Sequence, residues 1–310
     1  MWGRGKLSAH GKVSAVTPTA SRQRWLVGLS LFALYLIWGS TYLAMRFAID
    51  GFPPFMMAGI RFVIAGGLFS LFLRMRGAPW PNPAQWRSAF LVGGLLLLGG
   101  NGAVAYAEQW IGSGVAALAI ATVPLWTVLF SELWGHRSSR HEWLGILVGF
   151  AGVGLLSFGA DMRASAAGTL ALLFAAASWS FGSVWSKRLP MPPGLMSSAA
   201  QMLGGGLLLM ATSIVLGERL VATPSAKALA ALAYLIVFGS FVAFTAYQFL
   251  FHTVRPALAT SYAYINPVVA VALGIWLAGE RVGPLEIAAM AVIVVGVALV
   301  VAGQRKSGNA

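Results

Sequence analysis

Ala121-Thr122-Val123-Pro124 and Tyr264-Ile265-Asn266-Pro267 are the two stretches that decide how this chain is organised. Each lies inside an uncharged run long enough to cross a lipid bilayer, and each carries a proline, which removes a backbone donor where hydrocarbon offers no substitute. Other landmarks recur at nearly the same spacing. Trp38 with Arg46 matches Trp179 with Lys187, and Ala105-Tyr106 matches Ala246-Tyr247. Residues 25–160 can thus be laid on 164–303 with an offset that drifts from 141 to 144 residues, which is an internal repeat.

The runs between these landmarks define the solvent. Of 310 residues, 58% are hydrophobic and 9% charged, a balance that water would not tolerate on a protein surface. A helix needs about 20 apolar residues to cross a hydrocarbon core of about 30 Å. Ten such runs are predicted, at 25–45, 54–73, 88–107, 113–131, 143–160, 164–186, 194–217, 228–251, 256–279 and 282–303. Only Arg61 and Glu286 place a formal charge inside any of them. The segment after residue 24 reads as a first full span and not as a cleaved signal, because no small-residue cleavage site follows it. Residues 1–24 read as a disordered basic tail and 304–310 as a second short tail.

The net charge of +13 does not indicate nucleic acid, because the basic residues alternate between loops and do not gather on one soluble face. With the N-terminus in the cytoplasm, fifteen of the 21 basic residues fall in inner segments and five (Arg46, Arg163, Arg219, Lys227, Arg281) in outer loops. The positive-inside rule then puts both termini in the cytoplasm, in agreement with an even number of spans. Five spans per half force the second half to enter from the opposite side, so the expected fold is all-α with two inverted five-helix repeats. The chain lacks cysteine, and its four histidines lie at loop or tail positions, so no metal and no cofactor is expected. The partners implied are the bilayer and a small-molecule substrate; the oligomeric state is left open and a monomer suffices.

Three stretches resemble a known family. They are Ala33-Leu34-Tyr35-Leu36-Ile37-Trp38-Gly39-Ser40-Thr41-Tyr42, then Pro53-Pro54-Phe55-Met56-Met57-Ala58-Gly59-Ile60-Arg61-Phe62, and above all Pro256 to Val271 around Asn266-Pro267. They resemble the EamA family of the drug/metabolite transporter superfamily, and the likeness covers roughly 25–303. The resemblance implies two inverted five-helix repeats, multi-pass residence in a bacterial inner membrane, and export or facilitated passage of amino acids or similar metabolites. None of that substrate information comes from periodicity or charge. One departure stands out: Gly279-Glu280 after helix nine is typical of the family, whereas the matching place after helix four reads Trp134-Gly135-His136-Arg137.

Polar side chains in mid-span should face helices or water and therefore mark a cavity. The candidates for substrate contact are Trp38, Tyr42, Asn101, Tyr106, Trp126, Trp179, Tyr247, Tyr262 and Asn266. They place helices one, three, four, six, eight and nine in its wall, with helix two outside it. Small hydroxyls have a competing use as bonds back to a carbonyl one turn earlier, and aromatics a competing place in the headgroup belt. Pro124 and Pro267 are expected to interrupt helices four and nine, although kinks satisfied by neighbouring helices compete with that reading. Arg61 is expected to snorkel outward or pair with Asp50, with a substrate carboxylate as the other reading. Glu108, at the outer end of helix three, reads as a proton or cation site or as a solvated side chain. The stripe Gly145, Gly149, Gly152 suits close packing within the chain as readily as a dimer contact.

Transport of amino acids or related small metabolites is the leading functional expectation, and the aromatic candidates suit apolar or aromatic amino acids. Broad drug and metabolite efflux, a selective channel and an intramembrane enzyme are the alternatives. The enzyme is disfavoured because no His or Asp lies within a predicted span.

Overall fold

Helices are the only open structure that satisfies its own backbone in hydrocarbon, and the apolar runs accordingly become helices. The computed structural model describes residues 20–135, 139–158, 165–254 and 262–307. Among them the chain is all-helical and contains no strand: α1 (20–49), α2 (Pro54–Met75), α3 (Pro83–Ala107), α4 (Ser113–Glu132), α5 (Arg140–Ser157), α6 (Ala166–Ser186), α7 (Leu195–Val215), α8 (226–253), α9 (Tyr262–Ala278) and α10 (Pro284–Ser307). Seven helices of the described residues (α1 to α4 and α6 to α8) are long and apolar enough to span a membrane, and α9 and α10 contain shorter apolar stretches. The outer surface exposes Leu68, Leu71, Phe72, Leu170, Phe174 and Trp276, an apolar coat whose proper solvent is lipid.

Helix starts follow local chemistry. Pro54 and Pro83 occupy first-turn positions where no donor is needed. Asn82 and Gln85 exchange side-chain and backbone bonds of 2.9 Å in a capping box. Ser165 and Ser225 accept from Gly168 N and Ala228 N at the starts of α6 and α8. Two boundaries depart from expectation. Residues 20–24, read as disordered tail, are already helical, and α10 continues to Ser307; both extensions add basic turns beyond the apolar run.

Helix pairings recur when α1–α5 are exchanged for α6–α10. Helix α3 packs on α6 and α7 as α8 packs on α1 and α2, α4 packs on α6 as α9 packs on α1, and α2/α7, α5/α10 and α4/α9 pair with their own counterparts. Small residues permit the closest crossings, as expected where lipid removes the hydrophobic drive and packing must hold helices together. A side chain at Gly93 of α3 would place its Cβ 2.5 Å from the Gln201 carbonyl and 2.9 Å from the Gly205 nitrogen of α7. The α5 glycines serve packing inside the chain: Gly149 abuts Leu125 and Gly296, and Gly152 abuts Ile293.

Three helices contain a wide π-type turn, at Leu34–Trp38 in α1, Gly94–Gly102 in α3 and Leu235–Val242 in α8. The latter two begin 141 residues apart, the spacing that relates Trp38 to Trp179. Such turns disturb the regular ladder and leave carbonyls needing donors, and each finds one on a neighbouring helix. Trp38 Nε1 donates to Gly239 O at 3.2 Å, and Ser178 Oγ donates to Leu95 O at 2.8 Å. The Asn266 amide, oriented so that its nitrogen donates, bonds Leu34 O and Tyr262 O at 3.2 Å each.

The prolines behave unequally. Helix α4 is interrupted by a turn at Ala121 and Thr122, just ahead of Pro124. The expected matching break in α9 is absent among the described residues, where that helix runs unbroken from Tyr262 through Pro267 to Ala278. Pro267 lies inside the helix, so the donor it lacks is one the backbone ladder would otherwise use.

Candidate functional site

The helices surround a partly open cavity lined from α1, α2, α3, α4, α6, α8 and α9. Six predicted contacts reach its wall: Trp38, Tyr42, Asn101, Trp179, Tyr262 and Asn266. Three do not. Tyr106 stacks on Phe55 and lies edge-on to Trp110, Trp126 packs against Phe130 and Phe150, and Tyr247 lies behind the wall. Pro124 and Pro267 also lie outside the lining, next to its Val123 and Asn266. Three of the wall aromatics, from α1, α6 and α9, cluster with Tyr247 of α8: Trp38 sits 5.7 Å from Trp179, 5.2 Å from Tyr247 and 5.1 Å from Tyr262 between ring centroids. Ser183 and the Tyr247 hydroxyl share a 3.3 Å bond in the same cluster.

Two expectations are corrected in this region. Helix α2 belongs to the wall, contributing Arg61 and Phe62. Arg61 neither snorkels outward nor pairs with Asp50: it is 2% exposed, and its Nε donates to Ser240 Oγ at 2.6 Å. The sequence signal was the charge itself, but only the α2/α8 crossing shows which way it points. Gly239, which sequence reasoning did not single out, makes the room; a Cβ there would lie 2.9 Å from Arg61 Nη2.

Polar contacts gather at the ends of two of the lining helices, α1 and α3. Glu108 caps α3 on the same stripe as the wall residues Asn101 and Val104. It is 0% exposed, so it is not the solvated side chain of one reading, and neither carboxylate oxygen takes a hydrogen bond. Burial and the charge of Glu280 push its carboxyl well above the usual range, against the opposing pull of Arg46 and Arg61. Arg46 lies in the last turn of α1, and its Nη1 donates to Glu108 O at 2.9 Å. Glu280 Oε1 accepts from Ser113 N at 2.8 Å and Ser113 Oγ at 2.7 Å, and Oε2 from Gly114 N at 3.0 Å, which caps the start of α4 from the end of α9. Glu218, after α7, caps α2 in the same manner through Phe55 N and Met56 N. No group of three or more metal-type ligands occurs among the described residues. Of the histidines, His10 and His136 lie outside the described residues, while His141 and His252 fall in terminal turns of α5 and α8.

An apolar-coated helical bundle around a central, partly polar cavity defines a polytopic membrane protein. The EamA-like transporter family pattern matches residues 25–158 and again residues 166–302. The chain is 47% identical over 276 residues to the uncharacterized inner membrane transporter YedA of Escherichia coli (strain K12), covering 89% of this chain and 90% of that protein. It is 23% identical to protein PagO of Salmonella typhimurium, over 88% of this chain and 92% of the other. A solved crystal structure with 24% sequence identity shares the fold at a TM-score of 0.66, covering 90% of this chain and 99% of that one. The chain belongs to the EamA-like transporter family.

Proposed function

We propose that this protein is a secondary transporter that moves amino acids or related small metabolites across a bacterial inner membrane by alternating access. In this reading its halves are inverted five-helix repeats with both termini in the cytoplasm. The observation that carries it is the cavity itself, whose wall draws on both halves and combines an aromatic cluster with polar side chains. Exchanging the conformations of two such halves would turn the cavity from one side of the membrane to the other. The family membership and the relative named as an inner membrane transporter support the transport class and the compartment. A second reading, coupling to protons, is favoured by the buried and unbonded carboxylate of Glu108 at the end of the lining helix α3.

The test is uptake of labelled amino acids into liposomes containing the purified protein, with unlabelled competitor inside and with or without a pH gradient. Saturable counterflow is expected. Non-saturating flux without counterflow would replace the carrier by a channel, and sensitivity to the gradient that disappears in Glu108→Gln would establish the proton reading.

A further inference from the structure

Among the described residues Arg61 is the single charged side chain lining the cavity, and no carboxylate lines it. A guanidinium has five N–H donors; here Nε is spent on Ser240 and the terminal nitrogens make no hydrogen bond among the described residues. Holding this charge in the bundle is costly unless an anion completes it; the buried Glu108 carboxyl acts on it electrostatically but takes none of its donors. The fold holds it deliberately: Ser240 and Gly239 sit in the wide turn of α8, the first orienting Nε and the second leaving room for Nη2. The Phe62 ring lies 4.6 Å from the guanidinium carbon. Across the same space the Asn101 amide is likewise unspent, while Trp38, Trp179 and Phe244 supply an apolar wall.

We propose that Arg61 is the anion anchor of this cavity and that its substrates carry a free carboxylate attached to an apolar or aromatic body. This rests on the transport reading above and narrows it. A carboxylate fits better than a phosphate, because one guanidinium in apolar surroundings compensates one negative charge and would leave a second uncompensated. Purely cationic amphiphiles are excluded by the same charge, which separates this cavity from a general site for cationic drugs.

Three compounds sharing a phenyl body test it in proteoliposomes: 3-phenylpropionate, phenylalanine and phenethylamine, each as labelled substrate and as competitor. The expected result is counterflow of the two carboxylates, with phenethylamine neither carried nor competing. If 3-phenylpropionate moves and phenylalanine does not, the anchored species is a simple organic anion; if both move, it includes amino acids. Arg61→Gln should weaken apparent affinity for the carboxylates by about 10- to 100-fold, the worth of a charge-assisted hydrogen bond, and Arg61→Lys should restore part of it. Should Arg61→Gln fail to purify as a monodisperse protein, the wild-type series decides alone. Phenethylamine competing as well as 3-phenylpropionate, or a folded Arg61→Gln variant with unchanged affinity, overturns the anchor while leaving a transporter. Absence of flux for these three and for neutral and cationic controls removes the transport reading itself.

Discussion

Removing the carboxylate of Glu280 is the most informative single perturbation outside the cavity. Its two oxygens take three donors from the first residues of α4, at 2.7, 2.8 and 3.0 Å, and thereby fasten the end of α9 to the start of α4. Gly279 places the side chain there with φ +65°, and the Glu280 nitrogen bonds the Gly274 carbonyl at 3.0 Å. Hydrogen bonds to a charged group are worth about 1.5–3 kcal/mol each but add incompletely, and this carboxylate is half-buried, so Glu280→Ala should cost about 3 kcal/mol. Glu280→Gln keeps one good acceptor and loses the helix-terminus charge, for roughly half that cost. At this chain length about 3 kcal/mol corresponds to a fall in Tm of roughly 5–10 °C. Heating purified protein in detergent and reading the surviving monodisperse fraction by size-exclusion chromatography measures it. Gly274→Ala should mimic the loss, because its Cβ would lie 2.5 Å from Glu280 Oε2. A Glu280→Ala variant that melts within about 1 °C of the wild type, as an inconsequential surface change would, refutes the latch.

Further outcomes follow from the packing and the buried charge. Gly93→Ala should lower stability by about 1–3 kcal/mol, since the obstructing atoms at the α3/α7 crossing are backbone; an unchanged melting profile would show that the helices separate freely there. Asn266→Ala removes donors to Leu34 O and Tyr262 O and should cost about 2 kcal/mol of stability besides lowering flux, whereas unaltered stability would return Asn266 to a role in substrate contact alone. Glu108 has a folded-state pKa raised above its unfolded value, so its neutral form is tolerated and stability declines as pH rises from the ordinary glutamate range through the folded pKa. Glu108→Gln should flatten that part of the Tm–pH curve, and parallel curves for the two proteins would assign the slope to other groups.

Several readings depended on local facts that the sequence displays directly. Uncharged runs of helical length, the two proline landmarks and the Trp38/Trp179 spacing suffice to mark helices and a repeat, because hydrocarbon forces the backbone to satisfy itself and the side chains to be apolar. The aromatic and amide candidates on α1, α3, α6 and α9 were legible as mid-span polar groups for the same reason. Trp126 and Tyr106 met the same criterion, yet pack against neighbouring aromatics away from the cavity. Composition cannot distinguish a polar ring facing a cavity from one facing another helix.

What only the tertiary structure decided is where each polar group finds its partner. Arg61 looked close enough to the membrane surface to reach it; the α2/α8 crossing turns it inward onto Ser240. Pro267 looked like the twin of Pro124; α9 runs through it unbroken, whereas α4 turns just ahead of Pro124. The wide turns of α1, α3 and α8 carry no sequence signature, and they determine that Trp38 and Asn266 serve backbone carbonyls as well as the cavity. The sequence alone determined the solvent, the helices and the repeat, since these depend on residue type and order along one chain. The assignment of donors to acceptors depends on distances between residues some 60 to 240 positions apart, which exist only once the helices have packed.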